Sequence, residues 1–428
     1  MVGEALDALV EDVWRRESAH VLAALARRHG DLGDCEDAAQ EALAAAAVQW
    51  PRDGVPDHPR GWLVRVASRR LVDQVRADRA RAAREVRVVE GEPAEDLQAP
   101  AADEEHPGAV DDSLQLLLLC CHPSLPPASQ VALTLRAVSG LSTAQVAAAF
   151  LVPEATMAQR LSRARATLRA AGARFVEVAP DELPGRVSAC LDVLHLMFNE
   201  GYAASAGPAL LDVSLTAEAV RLARGLHVAL PDHDEATGLL ALMVLTAARE
   251  ATRVDEAGDL VPLAAQDRGR WDAALVAEGV ALLEEALPHG HVGRFQLQAA
   301  IAAVHAEAPS AAETDWRQIS LLYAMLAERA PSPAVTLNRA VAVGEAFGPE
   351  RGLAVLDPLL SDPTMRRHHR TYAVRAHLLE RAGRPDEARE AYAAAARMTA
   401  SIPEQRYLNA RLARVNHPQE EPQNDVER

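Results

Sequence analysis

The stretch from Ser142 to Arg169, STAQVAAAFLVPEATMAQRLSRARATLR, constrains the fold more than any other part of the chain. It reads as two helices joined by a very short turn. Ser142 and Gln145 form an S-x-x-Q capping box that ties down the first orphan N–H groups of the first helix. Val146 and Phe150 give that helix an apolar side, and Leu151 and Val152 mark the break. Pro153 suits the first position of the second helix, where its missing N–H goes unused. Met157, Leu161, Ala164 and Leu168 recur at i, i+4, i+7 and i+11, so they line one face. Thr156, Gln159, Ser162 and Arg163 fall opposite, flanked by Arg160, Arg165 and Arg169. A polar, Arg-bearing face on the second helix of a tight pair is what a helix-turn-helix offers the DNA major groove. The competing reading is an ordinary helical hairpin with a solvated face. The cap, the short turn and the scarcity of acids after Glu154 weigh against it.

The net charge of −17 argues at first against nucleic acid, but its distribution reverses that. No Lys occurs, so Arg carries the permanent positive charge. Arg60, Arg65, Arg69, Arg70, Arg76, Arg79, Arg81, Arg84 and Arg87 are opposed over their interval only by Asp73, Asp78 and Glu85. From Glu154 to Arg174 five Arg stand against one acid. The acids concentrate between Glu90 and Asp112 and in the C-terminal half. Two basic helices on an acidic chain are a local electrostatic footprint.

The 428 residues, 49% of them apolar, are enough for roughly two to four domains with real cores. Abundant Ala and scarce aromatics favour helix. No apolar run reaches the ~18 residues of a membrane span, and the acidic, amphipathic MVGEALDALVEDVWRRE is unlike a signal peptide. A cytoplasmic protein is expected. Cys35, Cys120, Cys121 and Cys190 show no CxxC spacing. Cys120-Cys121-His122 reads as an apolar helix end with buried thiols rather than a thiol switch or a metal site.

Residues 4–30 predict a helix with Leu6, Leu9, Val10, Val13, Trp14, Val21, Leu22 and Leu25 at apolar positions. Gly30 to Gly33 breaks it, and Asp34 is expected to cap the next helix, CEDAAQEALAAAAVQW. On that helix Asp37, Gln40 and Glu41 form a polar patch, for which a solvated face is the alternative, while Ala38, Ala39, Ala42, Leu43 and Ala46 can pack. After the loop PRDGVPDHPRG, the segment GWLVRVASRRLVDQVRADRARAARE puts Leu63, Val64, Ala67, Leu71 and Val75 on one arc. Trp62, Arg65, Arg69 and Arg76 fall on the opposite arc. An exposed Trp beside three Arg suits nucleic acid, because aromatic and guanidinium planes stack on unpaired bases and Arg pairs with phosphate.

Residues 89–112, with no Lys or Arg and many acids, Pro and Ala, read as a flexible linker. The helical pair SLQLLLLCCHPSL and PPASQVALTLRAVSGL then leads into the helix-turn-helix. Beyond Arg174 the chain is again helical: LPGRVSACLDVLHLMFNEGYAASAG, then segments around 214–230, 234–251 and 272–287. SPAVTLNRAVAVGEAFGPERGLAVLDPLL and RTYAVRAHLLERAGRPDEAREAYAAAARM align with a period of about 35 residues, near the tetratricopeptide (TPR) unit. Ala340 matches Ala376, Gly348 matches Gly383, Leu356 matches Tyr392, and Pro403 is expected to end the second unit.

The order of two Arg-rich helices on either side of an acidic linker resembles a bacterial RNA polymerase sigma factor of the extracytoplasmic-function group, over roughly residues 5–174. EDAAQEALAAAAVQW is similar to the second sigma subregion, which implies that Asp37, Gln40 and Glu41 dock on core polymerase. PRGWLVRVASRRLVDQVRADRAR is similar to the helix that captures the −10 element, which implies that role for Trp62, Arg65, Arg69, Arg70 and Arg76. The loop Pro51–Pro59 would reach a flipped base. GLSTAQVAAAFLVPEATMAQRLSRARATLR is similar to the −35 reader. It implies Thr156, Gln159 and Arg163 at base edges beside Ser162, with Arg160, Arg165 and Arg169 on phosphates. FNEGYAAS, ALMVLTAAR, QDRGRWDAALVAEG, QLQAAIAAVHAEAPSAAETDW and PAVTLNRAVAV resemble the TPR-like extension of one sigma subgroup. A typical group member lacks that extension, so the usual control by a separate anti-sigma protein does not carry over.

The expected fold is therefore all-α. A sigma domain 2 bundle spans 1–88, an acidic linker 89–112, and a helix-turn-helix sigma domain 4 spans 113–174. A helical extension follows at 175–315, TPR-like repeats at 316–415 and a disordered tail at 416–428. The expected partners are core polymerase, promoter DNA and a protein or peptide for the TPR-like region. No membrane, cofactor, metal or catalytic group is called for. One rival is an operator-binding regulator with a TPR sensor that is no polymerase subunit. It leaves the Trp62 face and the Asp37–Glu41 patch unexplained. The other is an enzyme using His195, Asn199, Glu200 and Tyr202, for which structural hydrogen bonding is the stronger reading, because no second His/Asp/Glu cluster has catalytic or metal spacing. Small-ligand binding at that motif stays open. Trp271 and Trp316 read as packing anchors rather than a ligand cage.

Overall fold

Helix accounts for nearly all the regular structure. In the computed structural model, which describes residues 2–85, 109–150, 152–175, 178–287 and 292–416, there are eighteen α-helices and two strands of two residues each. The chain forms two compact units, 1–196 and 197–428.

The first unit contains α1 (Val2–His29), α2 (Leu32–Asp53), α3 (Pro59–Glu85), α4 (Ala109–Cys120), α5 (Pro127–Ala137), α6 (Thr143–Ala149), α7 (Glu154–Ala170) and the first part of α8 (Leu183–Tyr202). Helix α2 buries Cys35, Ala38, Ala39, Ala42, Ala46 and Trp50, a stripe at helical spacing whose small side chains let α1 and α3 approach closely. The core of this three-helix part holds Trp14, Val21, Leu22, Leu25, Leu63, Ala67 and Leu71. The second part centres on Leu116, Leu133, Leu135, Val146, Met157, Leu161 and Leu168, all buried, and α4 packs back on α1. The four cysteines are free thiols and buried, as read from the sequence.

Several local boundaries differ from the sequence reading. Asp31, not Asp34, caps α2: its Oδ1 accepts from the Asp34 N–H at 3.0 Å, so Gly33 lies inside the helix rather than in the break. Pro153 sits one residue before α7, at the cap position. Ala109 to Asp112, read as linker, already belong to α4. The rest of that linker, the tail beyond residue 416 and the side chain of Val75 lie outside the described residues.

The second unit runs α9 (Val213–Ala229), α10 (Asp234–Ala247), α11 (Ala273–Ala286), α12 (Arg294–Glu307), α13 (Trp316–Arg329), α14 (Pro333–Phe347), α15 (Pro349–Ser361), α16 (His369–Arg381), α17 (Pro385–Met398) and α18 (Ile402–Asn416). Sequence neighbours pack as hairpins. The aligned repeat positions fall on two helix pairs, α14–α15 and α16–α17. Ala340 and Ala376 are fully buried on the first helix of each hairpin, and Leu356 and Tyr392 are buried on the second. Gly348 (φ 102°) and Gly383 (φ 69°) make the left-handed turns between them. Pro403 lies in the first turn of α18 rather than ending α17, which stops at Met398. Strand β1 (Ala206–Gly207) pairs in parallel with β2 (Ala400–Ser401), and Arg406 reaches Asp259 at 3.2 Å, so the succession of helices closes on itself.

Candidate nucleic-acid interface

The helix-turn-helix forms as its residues dictate. The capping box is present in both directions, Ser142 N–H to Gln145 Oε1 at 2.7 Å and Gln145 N–H to Ser142 Oγ at 3.1 Å. Helix α7 buries Met157, Leu161, Ala164 and Leu168 and exposes Thr156, Gln159, Ser162 and Arg163. Arg160 is half-buried, its guanidinium 5.2 Å from the Phe150 ring centroid. Thr156, Gln159, Ser162 and Arg163 thus lie on the exposed side of α7, away from its buried stripe.

Arg165 and Arg169 are placed differently. Both point at the start of α2. Arg169 binds Asp31 through two bonds, at 2.6 and 2.8 Å, and comes within 3.7 Å of Asp34. The bond from Arg169 holds the Asp31 carboxyl below its ordinary pKa. Arg165 lies 3.0 Å from Glu36 and 3.8 Å from Asp37. Glu36, 1% exposed, also accepts from Arg136 of α5 at 2.6 Å. Trp14 Nε1–H of α1 donates to the Gly140 carbonyl at 3.0 Å. Two of the three Arg expected on phosphate are thus engaged at the start of α2, Arg165 reaching Asp37 of the patch expected to meet polymerase and Arg169 the neighbouring Asp31 and Asp34.

On α3, Arg65, Arg69 and Arg76 are exposed, and Arg70 lies 3.4 Å from Glu41. Trp62 is not freely exposed, contrary to expectation. It is half-buried and meets buried Trp50 edge-on, with ring centroids 5.5 Å apart. A Trp beside a Trp-bearing helix end gains more from ring contact and burial than from water. Of the α2 patch, Asp37 and Glu41 are exposed and Gln40 is half-buried.

Sequence reasoning missed Asp31, Glu36 and Arg136. Glu36 borders the Ala stripe of α2, and that adjacency was the one available signal; its partners stand 100 or more positions away. In the C-terminal motif, Glu200 closes a turn by accepting from the N–H and Oγ of Ser205, both at 3.0 Å, and His195 and Asn199 also have partners. Trp271 donates to Thr252 at 3.0 Å and Trp316 packs edge-on against His305, which fits packing anchors. Among the described residues no group of His, Cys, Asp or Glu could hold a metal ion, and no helix is long and apolar enough to cross a membrane.

Comparisons with known proteins converge on the same two helical parts. Residues 13–81 match Sigma-70 region 2, and residues 115–168 match Sigma-70, region 4. Residues 186–287 match a family of unknown function, DUF6596. An uncharacterized protein of Rhizobium meliloti (strain 1021) is 40% identical over 399 residues, 91% of this chain and 92% of that protein. The probable ECF RNA polymerase sigma factor SigI of Mycobacterium tuberculosis (strain ATCC 25618 / H37Rv) is 30% identical over 156 residues, 36% of this chain and 53% of its own length. The ECF RNA polymerase sigma factor SigC of Mycobacterium tuberculosis (strain CDC 1551 / Oshkosh) is 29% identical over 187 residues, 43% of this chain and 88% of its own. No solved structure matches. Sigma-70 region 2 and Sigma-70, region 4 are thus matched in order, each on its own group of helices in the first unit.

Proposed function

We propose that the protein is an RNA polymerase sigma factor of the extracytoplasmic-function group that reads the −35 element with Thr156, Gln159, Ser162 and Arg163, assisted on phosphates by Arg160, Arg165 and Arg169. In the same reading Trp62, Arg65, Arg69, Arg70 and Arg76 hold the −10 strand, and Asp37, Gln40 and Glu41 dock on core polymerase. The observation that carries the −35 assignment is α7 itself, polar and exposed on one side and buried on the other. Polymerase supplies the bond-making chemistry, so the sigma chain needs no catalytic group.

The ion pairs from α7 to α2 give this reading a conformational step. Elements centred some 25 base pairs apart lie about 85 Å apart at 3.4 Å per pair. A compact body of this unit's length is only roughly 40 Å across. One closed unit cannot span both. The stretch between Glu85 and Ala109 has a contour of at most roughly 75–80 Å, enough for regions 2 and 4 to separate most of the way, with their own widths covering the rest. Opening trades the contacts of Arg165 and Arg169 with Asp31, Glu36 and Asp37 for contacts with phosphate, and it frees Asp37 for polymerase. The pair of Arg169, 59% exposed, with Asp31 costs little to break, about 0–1 kcal/mol. Buried Glu36 is the stronger latch.

The C-terminal unit is proposed to modulate initiation in cis through its TPR-like hairpins, α14–α15 and α16–α17. Concave stacks of such hairpins bind peptides or partner helices. We assign it an assisting role, because the sigma part runs into it through α8 without an intervening low-complexity tether. Run-off transcription with core polymerase tests the whole reading. Polymerase-dependent initiation from a −10/−35 template supports it; tight, specific operator binding with no gain from polymerase would overturn it.

A further inference from the structure

The geometry points to an oxyanion-binding site inside the C-terminal unit, where Arg249 and Arg253 meet over Tyr202, with Arg268 neighbouring Arg249 and Arg370 neighbouring Arg253, to take a small molecule bearing carboxylate or phosphate. The site begins with the backbone. A Cβ at Gly201 would stand 2.7 Å from the Thr216 nitrogen, so only glycine lets the end of α8 lie against the start of α9. That contact sets Tyr202, whose buried ring stacks on Phe198 at 5.9 Å and 9°. Two guanidiniums lie over this one ring, Arg249 at 5.7 Å and Arg253 at 4.7 Å from its centroid. Arg268 lies over Trp271 at 5.1 Å and donates to the His305 and Ala308 carbonyls, each at 2.7 Å.

These cations lack the anions that their burial calls for. Among the described residues no carboxylate pairs with Arg249, Arg253 or Arg268. Buried polar atoms are left without partners on Arg249 (Nε), Arg268 (Nε), His305 (Nδ1) and Tyr202 (OH). Two carboxylates act on these cations from a distance, Glu313 on Arg268 and Glu404 on Arg253, and Glu404 is already held by His369 at 2.9 Å, Thr399 at 2.9 Å and Arg370 at 3.6 Å. The charges feel one another: burial and the neighbouring Arg249 and Arg370 pull Arg253 below its ordinary pKa. Burial with Arg249 and Arg268 pulls His305 down to about 4. Elsewhere the same unit pairs its Arg routinely, as in Arg221–Glu218 and Arg384–Glu387. Like charges brought together in a partly dry interior, with donors unsatisfied, are stabilised by a bound anion, and the planar Arg fork matches carboxylate and phosphate oxygens.

Isothermal titration of the full-length protein with inorganic phosphate, and separately with succinate, tests the site against sodium chloride at matched ionic strength. Saturable binding of at least one oxyanion, absent with chloride, is expected; which of the two binds separates a tetrahedral ligand from a carboxylate one. Arg253→Gln should weaken it at least tenfold, while Arg384→Gln, at an Arg outside the cluster that pairs with Glu387, should change it less than threefold. Should Arg253→Gln fail to fold, Arg370→Gln, at a side chain 50% exposed, carries the comparison and should weaken binding several-fold. The site is refuted if neither anion outcompetes chloride, or if both Arg variants bind as the parent does. Binding is read on the free protein, so this result stands apart from promoter recognition.

Discussion

Arg163 and Arg169 lie on one helix but in different surroundings, and that difference is testable. Arg163 is exposed on the outer face, whereas Arg169 is tied to Asp31. Arg163→Ala is expected to cost roughly 1–3 kcal/mol at −35 base positions and to relax discrimination there. Arg169→Ala should weaken promoter and random DNA alike and flatten the log–log salt dependence of holoenzyme binding by about one unit. Equal effects of both variants on specific and random DNA would refute the assigned face. His305 makes a second prediction. Its folded pKa of about 4 lies below the ordinary 6.5, through burial first and then Arg249 and Arg268. The unfolded chain therefore takes up the proton first, and stability falls as pH drops from about 6.5 to about 4, by up to about 3 kcal/mol. Thermal melts across that window should show the decline in the parent and a flatter profile in His305→Gln. Glu404 acts lower down. Burial raises its pKa, but His369 and Arg370 outweigh burial and hold it at about 2, so its contribution is present above about 4.5 and lost towards 2.

Among elements, the contact of α7 with α2 decides which surfaces are available. A cleavable bismaleimide joining Asp31→Cys to Arg169→Cys would hold the unit closed, and the native cysteines, all buried, would not compete for it. The cross-linked protein is expected to lose run-off transcription and to regain it when the linker is cleaved; activity unchanged by cross-linking would remove the opening step. Glu36→Gln is the complementary test. Removing a buried charge that faces Arg136 and Arg165 should destabilise the closed unit by roughly 3–5 kcal/mol, read as a lower first transition on melting. At this scale the sequence was highly legible. The buried stripe of α7 and the Ala stripe of α2 follow from period alone, because a helix with one apolar face has one way to bury it. What the faces meet was not legible, since period says nothing of a partner more than 100 positions away.

For the whole molecule, the division between units falls within α8, after Leu196. The first part of that helix belongs to the sigma unit, where Arg186 donates to the Leu118 carbonyl at 3.5 Å and Cys190 neighbours Cys121. A truncation ending near Ala179 would strip these contacts, so one ending at Tyr202 is the cleaner test of assistance in cis. Loss of promoter activity is expected, with the sigma unit's melting temperature preserved; raised activity would mean inhibition instead. The sequence by itself determined the helical class, the helix-turn-helix, the basic faces and the repeat of hairpins, because each is written in residues a few positions apart and fixed by caps, periods and turns. Tertiary structure alone decided that Trp62 is shared with Trp50, that Arg165 and Arg169 turn to Asp31 and Glu36, and that Arg249 and Arg253 meet over Tyr202. A side chain's charge is local, but which charge it meets is settled by how the helices pack.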